Sequence, residues 1–298
     1  GDVQRTGGKG TCADAYRKNK TYRGSKINNQ LIISNHSRLS GMNQTKTFNF
    51  LLALLFLFSA GNIYSQDWKK LVEEGDKLAV KQFKNADALK KFEAADKLSP
   101  NNWEIQWRLS RSYVDIGEHS SGNSQLANFE KAKTFADKAI KLAPDKSINY
   151  LRRAIANGRI ALFKSVFSAP GYVNDARADV EKAIKLGNGG SEVQATAHYV
   201  LGRSHNKLCE KAYLVRVPLG LGWGDIDVAI KELNAAIKLR PNFRMFHLEL
   251  GKAYIEDEQY AKARTHLNKV ATIPFLDEDD AAVLSEAKKL LNEIKNEK

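Results

Sequence analysis

The stretch DVAIKELNAAIKLRPNFRMFHLELGKAYIEDEQYAKARTHLNKVATIP, residues 227–274, decides the fold. In its first third, apolar residues recur every three or four positions through Ala229, Leu233 and Ala236, and the run stops at Pro241. A second periodic run carries Leu250-Gly251 and Tyr254, and a third carries Tyr260, Ala263 and Leu267 before Pro274. That period makes each run an amphipathic helix with a proline as its stop signal. A small residue such as Gly251 lets two helix backbones approach where they cross, while bulky residues fill the spaces beside it.

Outward from this stretch, the same theme recurs in ALKKFEAADKLSPN, EKAKTFADKAIKLAPD and ARADVEKAIKLGNG. Aligned on it, the first unit has Gly75, Ala88, Phe92, Ala95 and Pro100, and the second has Leu109, Ser110, Tyr113, Ala132, Ala136, Ala139 and Pro144. The third has Ala154, Ala176, Val180 and Ala183; the fourth has Leu201, Gly202, His205, Ala229, Leu233, Ala236 and Pro241. The spacing is that of the tetratricopeptide repeat, so the expected fold is an all-α solenoid of about five helix pairs. Three pairs exceed the standard length. From the small residue of the first helix to the first alanine of the second is 12 positions in the last pair, 22 in the second and third, and 27 in the fourth. The extra residues must lengthen helices or form loops. The ending LDEDDAAVLSEAKKLLNEIKNEK starts with acids and ends with lysines, as a helix dipole favours, and reads as a capping helix that gives the solenoid a soluble end.

The N-terminal part has a different character. Residues 1–41 are rich in glycine, serine, asparagine and basic residues without apolar periodicity, and are expected to be unstructured: upstream sequence read through in frame, or a real basic tail. Met42 then opens a short basic head (Lys46), an apolar run from Phe50 to Phe58, and a small polar stretch ending at Ser65. This is signal-peptide anatomy, with cleavage after Ser65 and a product that begins at Gln66. The run is far shorter than the roughly 20 apolar residues of a membrane span, so the leader directs export rather than anchoring. The mature domain is then 66–298, in the periplasm or at the outer surface of a bacterial cell. Residues 1–65 hold nine Lys/Arg and two Asp/Glu, so the net +13 of the chain falls to +6 for 66–298, with both signs alternating along helix faces. That is a solvated surface rather than a nucleic-acid interface. Cys12 leaves with the leader, and Cys209 alone makes no internal disulfide.

The runs EIQWRLSRSYVDIG and TAHYVLGRSHNKLCEKAYLVRVPLGLGWGD, with the acidic-then-alanine ending, resemble the regulator of microtubule dynamics family over about residues 68 to 295. The Trp-Arg-Leu-x-Arg run and the long insertion within the fourth pair are the more specific marks; the alanines and prolines are common to all tetratricopeptide proteins. The resemblance implies an all-helical adaptor, linked in animal members to microtubules or organelle contacts. An exported bacterial protein meets no microtubules, so only the fold and the adaptor character carry over.

No phosphate loop, H-E-x-x-H, G-x-S-x-G or CxxC motif is present, and no enzyme, metal or cofactor is expected. His198, His205 and Cys209 share a helix side and are all zinc-binding types, but the histidines fall at packing positions of the repeat. Asp277–Asp280 lacks the alternating ligands and turn glycine of a calcium loop, and its place at a helix start accounts for it. Binding is expected instead on the wall of first helices. By the family pattern that wall carries Trp107, Arg108, Arg111, Leu151, Arg152 and Arg159, then Tyr199, Arg203, Asn206, Lys207, Leu248 and Lys252. Arginine forks bind carboxylates through two hydrogen bonds and an aromatic neighbour adds apolar area, which suggests a groove for an acidic or C-terminal peptide segment. The alternative is that these arginines pair with Glu and Asp of adjacent helices. The insertion from Cys209 to Asp225, with three glycines and a proline, cannot continue a helix. It must pack on the solenoid or await a partner, with Trp223 as the candidate anchor. Two functions stand: a scaffold that binds a peptide or protein segment, and a small-ligand-binding accessory of an envelope transport system with the insertions roofing a cavity.

Overall fold

The computed structural model describes residues 67–165 and 167–298; residues 1–41 and the leader expected at 42–65 lie outside them. Among the described residues there are twelve α-helices and no strand. Helix α1 (67–82) pairs with α2 (Asn85–Leu98), α3 (Trp103–Glu118) with α4 (Gly122–Leu142), and α5 (Ser147–Ala161) with α6 (Ala169–Leu186). Helix α7 (Gly190–Cys209) pairs not with the single-turn α8 (Tyr213–Arg216) but with α9 (Ile226–Leu239). Helices α10 (Arg244–Glu256) and α11 (Tyr260–Thr272) form the fifth pair, and α12 (Asp280–Glu293) follows. Each second helix packs on the next first helix, and first helices also touch one another, α3 on α5, α5 on α7, α7 on α10 and α10 on α12. The expected five pairs and a cap are therefore present, with α12 standing where a sixth first helix would.

The helix stops follow from backbone sterics. Helices α2, α4, α9 and α11 end at Ser99, Ala143, Arg240 and Ile273, each immediately before a proline, whose ring disfavours helical geometry in the preceding residue. Helix α6 has no proline after its end and stops on Gly187 in the left-handed region (φ 65°), which glycine adopts without a Cβ penalty.

The small-residue positions are close crossings. A Cβ on Gly251 would lie 2.7 Å from Leu267 Cδ2. Ala88, Phe92, Ala132, Ala136, Val180, Ala183, Ala229, Leu233, Ala263 and Leu267 are all completely or almost completely buried. Burying a side chain the size of Phe92 contributes roughly 1.5–3 kcal/mol. In the second pair a further close crossing lies two turns after Ser110, at Gly117, where a Cβ would sit 2.5 Å from Phe129. The extra length there has gone into helix, giving α4 its 21 residues. In the fourth pair it has gone partly into α7, of 20 residues, and partly into the insertion.

At the C-terminal end, Asp280 accepts hydrogen bonds from the backbone N–H of Leu276 (2.6 Å) and Asp277 (3.0 Å), which fixes the turn into α12. The expected lysine-rich helix end differs. Helix α12 closes at Glu293 with no basic residue in its last turn, and Lys295 and Lys298 follow it, because the Ile294 N–H already closes on Leu290 O.

Candidate functional site

Offsets of three and four residues share one face of a helix. The residues two before and one after each crossing position therefore look the same way. On α3 these are Arg108 and Arg111 about Ser110, and on α5 Arg152 and Ile155 about Ala154. On α7 they are Val200 and Arg203 about Gly202, and on α10 Glu249 and Lys252 about Gly251, while Asp76 takes the second place on α1. Since the first helices stand side by side, these positions form continuous rows along one wall, half-buried except for Glu249, which is buried.

The rows are cross-linked by charge. One carboxylate, Asp76, accepts from Arg108 Nε at 2.8 Å and Arg111 Nη2 at 2.9 Å. Arg159 of α5 pairs with Glu118 of α3. Arg203 Nε stands 3.6 Å from Glu249 Oε2, and Lys252 bridges Glu249 (3.2 Å) and Glu286 of α12 (2.7 Å). The sequence pattern located the cations of this wall but not Asp76, Asp115, Glu118, Glu249 and Glu286, which make it a mixed ladder rather than a basic trough. Asp76 and Glu249 were legible: they occupy the same register places as Arg111 and Arg108.

Burial shapes the titration of these groups. It pushes the Asp115 carboxyl up to about 6, against the pull of the Arg111 and Arg152 charges. It also raises Glu118, opposed by Arg159, and lowers Arg108, opposed by Asp76. Burial pulls Arg152 down to about 10, with the Arg111 charge adding to the effect. The Tyr199 hydroxyl is pushed up to about 12 by burial, and its ring stacks on Phe246 at 5.1 Å.

The half-buried Trp107 ring gathers three guanidinium groups, Arg108 at 4.1 Å, Arg111 at 5.5 Å and Arg152 at 5.7 Å from its centroid. Asn206 is buried and neither of its amide atoms has a partner among the described residues. Lys207 departs from the wall network, pairing with Glu210 at 2.6 Å. The insertion packs on its own surroundings: Trp223 Nε1 donates to Asn174 Oδ1 of α6 (2.8 Å), Arg177 covers the ring at 4.6 Å, and His205 meets its edge at 4.9 Å. His198 hydrogen-bonds Glu232 at 2.6 Å. A cavity of 450 Å³ lies between the start of α2, the end of α3 and Glu278, and one of 220 Å³ is lined by Lys133, Arg153, Asn157, Asp175 and Asp179. The insertion lines neither.

The model of the family described as regulator of microtubule dynamics protein 1-3 matches residues 71–295, which include Asp76, the Trp107 cluster and the rest of the wall. The chain belongs to the regulator of microtubule dynamics family. Among curated proteins, the human antiviral innate immune response effector IFIT1 is 24% identical to this family member over 208 residues, 66% of this chain and 37% of its own length. Its counterpart in Macaca fascicularis aligns with the same figures. The chain thus spans little more than a third of these relatives. Among solved structures, the tetratricopeptide protein TTC0263 of Thermus thermophilus superposes with a TM-score of 0.54 at 19% identity, covering 74% of this chain and 99% of its own. This likeness gives the family member its tetratricopeptide-type α-solenoid.

Proposed function

We propose that the protein is a non-enzymatic interaction scaffold whose wall of first helices binds an extended, acidic segment of a protein partner. One observation carries this: the wall presents the half-buried Trp107 ring among rows of charged side chains that run across α3, α5, α7 and α10. Solenoid walls of this kind suit extended chains, because each repeat offers the same register places to successive residues. The ion pairs already made within the wall set the affinity low, since an acidic segment must compete with Asp76, Glu118, Glu249 and Glu286 for the cations. The leader expected at 42–65 sets the encounter in the bacterial envelope; the exported product then begins at Gln66, which terminal mass spectrometry of the native protein checks.

The test is selection of a decapeptide library, N-acetylated and C-amidated, on the immobilised full chain. Enrichment of acidic sequences that elute with rising salt is the expected result. No enrichment over a blank surface contradicts the reading.

A further inference from the structure

Among the cations of the first-helix wall, Arg152 stands apart. Arg108 and Arg111 share Asp76, Arg159 has Glu118, Arg203 faces Glu249, and Lys252 holds both Glu249 and Glu286. Arg152 makes neither a hydrogen bond nor an ion pair with any described residue, and its Nε is buried without a partner. Guanidinium has five N–H donors, and sealing the Nε–H of a charged group from water without an acceptor is expensive. Such an arrangement persists in a folded domain where function needs it, commonly at the expense of stability.

We propose that Arg152 is the carboxylate-recognition point of the wall, taking the side-chain carboxylate of a Glu or Asp within the bound acidic segment. The inference rests on the wall being a peptide-binding surface and names the chemistry at its centre. Of the carboxylates around Trp107 and Arg152, Asp76 is held by Arg108 and Arg111, Glu192 pairs with Arg240 at 3.3 Å, and neither Asp115 nor Glu104 bonds Arg152, so its guanidinium has no carboxylate of its own among the described residues. A planar carboxylate satisfies a guanidinium edge with two charge-assisted hydrogen bonds. The pull of burial on Arg152, to about 10, still leaves it charged at neutral pH. Its position selects a side chain rather than a chain end. Helix α5 is the third of five first helices, so a segment lying along the wall continues past Arg152 in both directions.

The experiment compares the full chain with Arg152→Gln and Arg152→Lys, using two decapeptide libraries, one C-amidated and one with free C-termini. Wild type is expected to enrich Glu or Asp at one internal position of the amidated library. Arg152→Gln should bind the enriched peptides at least ten-fold more weakly, with Arg152→Lys between, because the charge is kept but the fork is lost. Without peptide, Arg152→Gln should melt no lower than wild type, whereas an arginine with a structural role would lower the melting temperature. If enriched peptides bind Arg152→Gln as tightly as wild type, the assignment of Arg152 is overturned while the wall reading stands. Binders confined to the free-terminus library overturn the choice of a side-chain carboxylate. No binders from either library would remove the wall reading and this inference with it.

Discussion

At the scale of single residues, the histidine pair of the last repeat, His247 buried and His266 half-buried, shows how packing sets protonation. His247 Nε2 bonds Pro241 O at 3.0 Å, so it donates there and leaves Nδ1 to accept from His266 Nδ1 at 3.1 Å. Both rings are thus neutral. Burial lowers the affinity of each for a proton, with the His247 charge pressing further on His266, down to about 4. The unfolded chain binds these protons near pH 6.5, above both folded groups and well above His266. The stabilisation is therefore complete above about pH 6.5 and is lost progressively as the pH falls toward 4. Calorimetric melting should drop by several degrees between pH 7 and pH 5, and His266→Gln should flatten that dependence. Two glycines make a second contrast. Gly251→Ala forces a Cβ against Leu267 and should cost about 1–3 kcal/mol, whereas Gly158→Ala, on an open helix face with nothing within 4 Å, should stabilise by up to about 1 kcal/mol. Denaturant titration of both variants separates a crossing glycine from an incidental one.

At the scale of elements, Arg244 holds the cap to the last pair. It is almost wholly buried at the start of α10, donates through Nε to Ile273 O at 2.8 Å and through Nη1 to Asp280 O at 3.3 Å, and covers the Phe275 ring at 3.9 Å. Arg244→Ala should lower stability by about 2–3 kcal/mol, because Ile273 O loses its partner and Asp280 O its tie to α10, and hydrogen exchange should show α12 loosening first. Nothing in the spacing of Arg244 announced this role. The helix pairs themselves were legible because Ala88, Ala132, Ala176, Ala229 and Ala263 mark the same crossing in every repeat, and prolines mark every stop but that of the third pair, where Gly187 does. The site was legible on one side only. Arg108, Arg111 and Arg203 were found by place in the repeat, whereas Glu118 and Glu286 lie outside the repeat's register places and meet their partners only once neighbouring helices stack. Trp223 was legible as an anchor but not as to what it anchors, since Asn174 and Arg177 belong to the preceding pair.

At the scale of the described solenoid, the row of first helices bends enough for the loop before α12 to meet the start of α2, where Asn85 Nδ2 donates to Glu278 at 3.1 Å, with His119 3.9 Å away. That contact is exposed and polar, and an exposed pair contributes little, about 0–1 kcal/mol. Glu278→Ala should accordingly leave the melting temperature within a degree or two of wild type. The wall of first helices, not this contact, is the functional claim. The most direct test is a backbone amide chemical-shift map of the full chain titrated with an acidic decapeptide enriched by selection. The expected result is a contiguous set of shifts along α3, α5, α7 and α10, centred on Arg152. Shifts confined to the outer helices α4, α6 and α9, or to the insertion around Trp223, would contradict it.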